Sequence, residues 1–258
     1  MILDYKGIRI FYEDKGKGDV ILLLHGFLEN SKMWDYIPSD TFERKRFIKI
    51  DLLGHGKTEC MGYVHTMDAM AKAVLAVVGK LNVKRFKIIG HSMGGYVALA
   101  MLKIKPELIL GICLMNSTFQ ADTKNRKLIR KRAIEMAKTN YEALVRMSFI
   151  NLFAENSRSE FNEEIDKALK DALKTPVQGY IAAQEGMLRR ASRLDVLENS
   201  EMEIQMILGR QDAIVNIDEI KALSTDLKVK IDVISSGHMS HIENKSELTY
   251  LIKQFNEK

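Results

Sequence analysis

The sequence predicts an α/β protein: a mainly parallel central sheet flanked by helices, with a helical cap inserted late in the chain. Three observations carry this. Strand-length apolar runs alternate with amphipathic helical patterns along most of the 258 residues. Asp19-Val-Ile-Leu-Leu-Leu24 is continuously apolar after its first residue, as in a strand covered on both faces. From about Thr118 to Leu197 the rhythm breaks into helical patterns with no convincing strand. Residues 1–117 and 198–258 are therefore assigned to the core and 118–197 to the cap.

In chain order, Ile2–Tyr5 and Ile8–Tyr12 flank a Lys6-Gly7 turn and read as a hairpin. Asp19–Leu24 and Arg46–Ile50 are the next strands. Met67, Met70, Val74, Val77, Val78 and Leu81 share one side of a helix over 66–81, with Thr66 as its N-cap. Phe86–Ile89 is a strand, Tyr96–Lys103 a helix, and Leu108–Met115 a strand. In the cap, helices are expected at Lys124–Lys138, Tyr141–Phe153, Phe161–Leu173 and Val177–Leu188. Alternation resumes with strand Ile204–Leu208, helix Asp218–Leu223, strand Lys230–Ile234 and a final helix at Ser246–Phe255. An insertion that begins just after a sheet strand is placed to cover the sheet's carboxyl edge, where open α/β folds bind ligands.

Composition narrows the function classes. Hydrophobic residues make up 46% and charged residues 28%, which excludes disorder as the dominant state. No apolar run approaches the roughly 20 residues of a bilayer span, so no stable membrane insertion is expected. Lys+Arg exceed Asp+Glu by 39 to 34, a modest excess that does not call for nucleic acid. Two cysteines, Cys60 and Cys113, form no CxxC pair and suit a reducing compartment. The first residues, MILDYKGIRIF, carry charges where a secretion signal needs an apolar stretch, so a cytoplasmic protein is expected. Monomer and homodimer are not distinguished.

The sharpest chemical signal is Gly90-His91-Ser92-Met93-Gly94-Gly95, between a strand and a helix. This is the G-x-S-x-G nucleophile elbow in its required context. The chain must reverse within a few residues, leaving Ser92 in a strained conformation with its hydroxyl projecting from the sheet. Strand and helix then approach so closely that glycine is needed at 90 and 94. A serine hydroxyl needs a base. Of six histidines, His238 in Ser236-Gly237-His238 follows a core strand and stands at the same sheet edge. His91 adjoins Ser92 but should point away from it, while His55, His65 and His241 are read as structural or surface residues. The base needs a carboxylate to fix its tautomer. Asp212 in Leu208-Gly-Arg-Gln-Asp212 follows a core strand; Asp51 starts a turn, Asp195 lies at the cap edge and Asp232 is mid-strand. The oxyanion hole is assigned to the backbone N–H groups of Met93, which opens a helix, and Phe27, in the loop after Leu24.

With Leu24-His-Gly-Phe27, Asp51-Leu-Leu-Gly-His-Gly-Lys-Thr58, Gly90–Gly95, Gly209–Asp212 and Gly237-His238…Glu243 in this order, the chain resembles the α/β-hydrolase superfamily, among its compact, capped, esterase-like members. The resemblance runs from residue 20 to the last helix. It implies the α/β-hydrolase fold, a Ser92–Asp212–His238 triad and no cofactor. It makes the Asp51 segment a structural loop beside the site and Glu243 a support near His238. Leu53 stands where the family often has proline, and Thr58 where serine is usual. Asp51–Thr58 also nearly spells a phosphate-binding loop, but Asp51 replaces its first glycine and would repel phosphate. A zinc reading of His238 and His241 lacks a third ligand, so no metal is expected.

The predicted activity is hydrolysis of a small carboxylic ester through an acyl-enzyme. Two alternatives share the motifs: a C–C hydrolase or menaquinone-pathway synthase-like lyase, and a signalling receptor with little turnover. The synthase pattern has arginine after the elbow glycines, where this chain has Tyr96. In the cap, Met136, Met147, Phe149, Phe153, Tyr180 and Met187 are expected to form an apolar lid over the substrate. Residues 122–138 hold seven basic side chains against two acidic ones. They are read as a solvated helix face, with Ile129, Ala133, Met136 and Ala137 on the apolar side. Attraction of an anionic substrate is the sharper alternative.

Overall fold

A computed structural model describes residues 1–257. Eight strands form one sheet: β1 (Ile2–Tyr5), β2 (Ile8–Gly16), β3 (Asp19–Leu24), β4 (Lys45–Ile50), β5 (Phe86–His91), β6 (Ile109–Met115), β7 (Glu203–Gly209) and β8 (Val229–Ile234). Their spatial order is β1-β2-β4-β3-β5-β6-β7-β8. β1 and β2 pair antiparallel at one edge, and β4 through β8 run parallel with β3 among them. The hairpin joining β1 and β2 turns at Lys6 and Gly7, both with positive φ (49° and 82°), the twist that matches strands joined by two residues.

Helices cover both faces. α1 (Met67–Lys80) and α2 (Met93–Ile104) lie on one side; the Thr66 hydroxyl caps α1 by accepting from the Ala69 N–H. β3 shows why both faces must be covered. Leu22 and Leu24 join the core beneath α1 and α2, whereas Ile21 and Leu23 join Trp34 and the C-terminal helix on the other side. α2 starts at Met93, three residues earlier than the sequence predicts: Gly94 and Gly95 are poor helix formers, but the tight strand–helix crossing demands them there.

Between β6 and β7 come α3 (Lys124–Thr139), α4 (Tyr141–Phe149), α5 (Ser157–Glu160), α6 (Asn162–Ala172), α7 (Val177–Leu188) and α8 (Leu194–Glu198). The predicted helix Tyr141–Phe153 ends at Phe149 and tightens into a 3₁₀ turn over Ile150–Leu152. Val145, Phe149, Phe153 and Tyr180 form a cluster of their own, closed against Leu28, Met239 and Ile242 from the loops at the sheet's carboxyl edge. The chain finishes with α9 (Ile217–Leu223), α10 (Ser240–Glu243) and α11 (Lys245–Glu257). Among the described residues, no helix is long and apolar enough to cross a membrane.

Candidate active site

β5 ends at His91 and α2 begins at Met93, leaving Ser92 as the single hinge, with φ 48° and ψ −112°. That positive φ is unfavourable for a residue with a side chain. The two glycines explain how it is tolerated. A Cβ on Gly94 would lie 2.2 Å from the Leu24 carbonyl oxygen, and one on Gly90 would lie 2.6 Å from the Gly94 carbonyl oxygen. The hinge is locked by the Ser92 N–H donating to the Met115 carbonyl (2.9 Å) and the Ser117 hydroxyl donating to the Ser92 carbonyl (2.8 Å).

Three residues far apart in sequence converge here. His238 Nε2 lies 2.9 Å from Ser92 Oγ, and His238 Nδ1 lies 2.8 Å from Asp212 Oδ2. Asp212 stands just after β7 and His238 just after β8, so neighbouring strand ends deliver both. The Asp212 carboxylate also accepts from the backbone N–H groups of Ile214 (2.7 Å) and Val215 (3.1 Å) and from Asn116 Nδ2 (3.0 Å). Burial works against its charge, yet His238 and these donors hold its pKa below the ordinary carboxylate value. Asn116 escapes sequence reasoning. It directly follows β6 with φ 44°, donates to Asp212 and to the Gly237 carbonyl (3.0 Å), and accepts from the Ser240 hydroxyl (2.6 Å). An asparagine straight after a buried strand, where left-handed backbone is common for that residue, is the one signal the sequence offers.

Among the described residues, neither the Phe27 nor the Met93 backbone N–H has a protein acceptor. The loop carrying Phe27 is held by Leu28 at φ 63° and by Glu29, whose Oε2 accepts from the Gly26 N–H (2.6 Å). Glu29 Oε2 also meets His91 Nδ1 at 2.7 Å, and His91 Nε2 faces the His238 carbonyl at 3.0 Å. A neutral imidazole can donate only once; with acceptors at both nitrogens, His91 is an imidazolium. Burial opposes that charge, but the Glu29 carboxylate raises the His91 pKa above its ordinary value, and Glu29 itself sits at about 2. This buried ion pair ties together the Phe27 loop, the hinge and the His238 loop. His91 does point away from Ser92, as expected, but it and Glu29 are part of the frame, which the sequence did not reveal.

The remaining histidines are buried. His25 accepts from the Leu52 N–H (2.9 Å), and His65 accepts from the Met61 N–H (3.0 Å). His241 is fully enclosed beside Glu29 rather than on the surface. Among the described residues, Glu29, His91 and His241 are the group close enough to hold a metal ion, their ligand atoms lying within 4.8 Å of one another. Here Glu29 Oε2 is taken by the protonated His91, which cannot serve as a ligand, and Glu29 Oε1 faces His241 Nε2 at 3.5 Å. The Asp51 loop has the supporting place expected of it: Asp51 accepts from the Ser31 (2.7 Å) and Lys57 (2.8 Å) N–H groups. Glu243 supports the His238 loop, accepting from the N–H groups of Gly237 (3.0 Å), Met239 (3.1 Å) and Ala154 (2.9 Å).

Burial lowers His55 and His241 to about 3 and His65 to about 4, from 6.5. As pH falls below 6.5, the unfolded chain takes up protons that these folded groups refuse. Their contribution to stability is complete above 6.5 and is lost towards pH 3–4. Glu29 has the same sign between about 4.5 and 2. His91 has the opposite sign: its contribution is full below 6.5 and fades as pH rises through its raised folded value. Thermal melts are expected to show the midpoint falling between pH 6.5 and 4, at up to about 1.4 kcal/mol per pH unit for each buried neutral histidine. A flat profile over that range would contradict these assignments.

Ser92 and His238 open onto a cavity of about 510 Å³, roofed by α3, α4 and α7. Of the predicted lid residues, Met136, Phe149, Tyr180 and Met187 line it. Met147 does not: it is 63% exposed, because α4 turns Leu144, Ser148 and Phe149 inward and leaves Met147 on the outer face. Phe153 packs within the helical cluster instead. The basic helix α3 is also not a purely solvated face. Arg130 is buried, Arg126 and Arg132 line the cavity with it, and of the apolar side Ile129, Ala133 and Met136 reach the cavity while Ala137 is buried together with Ile134.

The α/β hydrolase fold family matches residues 19–245. The chain is similar to the AB hydrolase superfamily protein YisY of Bacillus subtilis, 27% identical over 96% of this chain and 95% of the relative. It is also similar to a putative 2-succinyl-6-hydroxy-2,4-cyclohexadiene-1-carboxylate synthase of the same organism, 23% identical over 96% of this chain and 95% of that one. Among solved structures, a malate-bound thermophilic esterase from Thermogutta terrifontis superposes with a TM-score of 0.92 at 27% identity, over 99% of this chain and 96% of that one. With its eight-stranded sheet, its strand–Ser92–helix hinge and a family match spanning most of its length, this chain belongs to the α/β hydrolase fold family.

Proposed function

We propose that the protein is a serine hydrolase of small carboxylic esters, working through an acyl-enzyme beneath the cap formed by residues 118–197. The unbroken relay from Asp212 through His238 to Ser92, at 2.8 and 2.9 Å, carries this reading. Ser92 Oγ attacks the ester carbonyl while His238 Nε2 takes its proton. Asp212 holds the imidazole in the tautomer that leaves Nε2 free to do so, and stabilises the resulting charge. The tetrahedral oxyanion is received by the free N–H groups of Phe27 and Met93, the latter at the start of α2 where the helix dipole favours negative charge. The C–O bond breaks as His238 returns the proton to the leaving alcohol. Water, deprotonated by His238, then releases the acid and restores Ser92.

A synthase-like lyase is the second reading, supported by the similarity to the putative synthase and by arginines lining the cavity. Aryl esters of increasing acyl length separate the two. Turnover by the wild type that is lost in His238→Ala and retained in His241→Ala supports the esterase. Turnover lost in His241→Ala but kept in His238→Ala would overturn the choice of base. Catalysis confined to a synthase precursor, with every ester inert, would replace the esterase by the lyase.

A further inference from the structure

Charges on and just behind the cavity wall are unequal. Asp122 is buried and spends both carboxylate oxygens on arginines: Oδ2 accepts from Arg130 Nε (2.5 Å) and Oδ1 from Arg190 Nη1 (2.7 Å). Arg130 is completed by Gln184 Oε1 (2.7 Å), and Arg190 lies over the Tyr96 ring, 4.1 Å from its centroid. Arg126 joins this group, half-buried on the cavity wall. Among the described residues its guanidinium has no ion-pair or hydrogen-bond partner. Arg126, Arg130 and Arg190 thus have one neighbouring carboxylate among them, an excess of two positive charges in a partly dry site, while Arg132, also on the cavity wall, is exposed to water. The carboxylate lining the cavity, Glu29, is already joined to His91. Burial, followed by the like charge of Arg130, lowers the Arg126 pKa, as expected for a cation short of counter-charge. Charges withdrawn from water are ordinarily paired, and a planar guanidinium matches a carboxylate in two parallel hydrogen bonds.

We infer that the ester carries a carboxylate of its own, which Arg126 binds at the cap end of the cavity while Ser92 meets the ester carbonyl at the other. Arg126 is then the specificity residue, and the apolar wall of Met136, Phe149 and Met187 spans the carbons between the two ends. The inference rests on the ester-hydrolase reading for its chemistry but on the arginine cluster for the anion.

The test pairs charged and neutral esters of similar size: monoethyl adipate with ethyl hexanoate for a carboxylate on the acid side, and 3-acetoxypropanoate with butyl acetate for one on the alcohol side. Acid release is followed in a pH-stat. In at least one pair, wild-type kcat/KM should favour the charged ester tenfold or more. Arg126→Met should lower that ratio at least tenfold, chiefly through KM, and Arg126→Lys should restore part of it. Lys131→Met removes the same charge from the exposed side of α3 and should leave the ratio within about twofold. Calorimetric titration of adipate into Ser92→Ala, with and without Arg126→Met, reads the anion site without chemistry, and binding should weaken at least tenfold when Arg126 is lost. Neutral esters turned over with no charged preference, together with adipate binding indifferent to Arg126, would overturn this inference alone. No Ser92-dependent ester turnover, with adipate binding still dependent on Arg126, would overturn the esterase reading and leave the anion site standing.

Discussion

Ser92→Ala is expected to lower kcat for a small ester by about 10⁴-fold or more, with KM changed far less. The substitution removes one oxygen atom. His238 keeps its bond to Asp212, and the Phe27 and Met93 N–H groups stay where they are, so substrate still binds. What disappears is the oxygen that forms the acyl bond in the proposed reaction. Residues that act as one unit in such relays cost nearly as much singly as together, and the remaining rate over water comes from binding and oxyanion stabilisation. Adding His238→Ala to Ser92→Ala should therefore cost little more. Steady-state kinetics on the two single variants and the double variant check this: comparable losses in all three support a common relay, whereas multiplying losses would mean that Ser92 and His238 act independently.

Gly186→Ala is expected to destabilise the protein by about 3 kcal/mol, although it adds a single methyl group. A Cβ there would stand 1.7 Å from the His65 carbonyl oxygen and 2.5 Å from its carbon, and backbone cannot swing aside as a side chain can. One turn nearer the start of α7, the His65 N–H donates to the Ala182 carbonyl (2.9 Å), and a Cβ on Gly179 would meet the Gly54 carbonyl oxygen at 2.1 Å. α7 is seated on the core loops backbone to backbone along its length. Since it brings Tyr180, Gln184 and Met187 to the cavity, unseating it should also raise KM. Gly79→Ala supplies the contrast: near the end of α1, its Cβ would meet nothing within 4 Å, and alanine there should be neutral or stabilising by up to about 1 kcal/mol. Thermal unfolding of both variants checks the pair. A drop of roughly 6–12 °C for Gly186→Ala alone is expected; equal behaviour of the two would mean the α7 contact is not tight.

What could be read from the sequence follows from the range of the interactions involved. The strands of the sheet were legible because burial on both faces leaves a continuous apolar run, as in Ile21–Leu24. The hinge was legible because a close backbone crossing admits only glycine at 90 and 94. Asp212 and His238 could be chosen because each follows a core strand, and parallel strands end at one edge. Glu29 and Asn116 were not legible as parts of the site: His91 and Asp212, the partners that give them their roles, lie dozens of residues away, and the one local signal, an asparagine straight after a strand, does not name its partner. Arg126 and Met147 show a second limit. Helical periodicity groups residues by side but does not say which side meets the cavity, so a basic helix read as solvated turned three arginines inward and a methionine read as lining turned out.

The proposed reaction passes through a covalent acyl-enzyme at Ser92. Acid-quenching the reaction with an aryl ester within its first turnovers, followed by proteolysis and mass spectrometry, looks for that bond directly. The acyl mass on the peptide that contains Ser92, absent from the same peptide of Ser92→Ala, is the predicted result. Acyl transfer to another residue, or undiminished turnover in Ser92→Ala with that peptide unmodified, would contradict it.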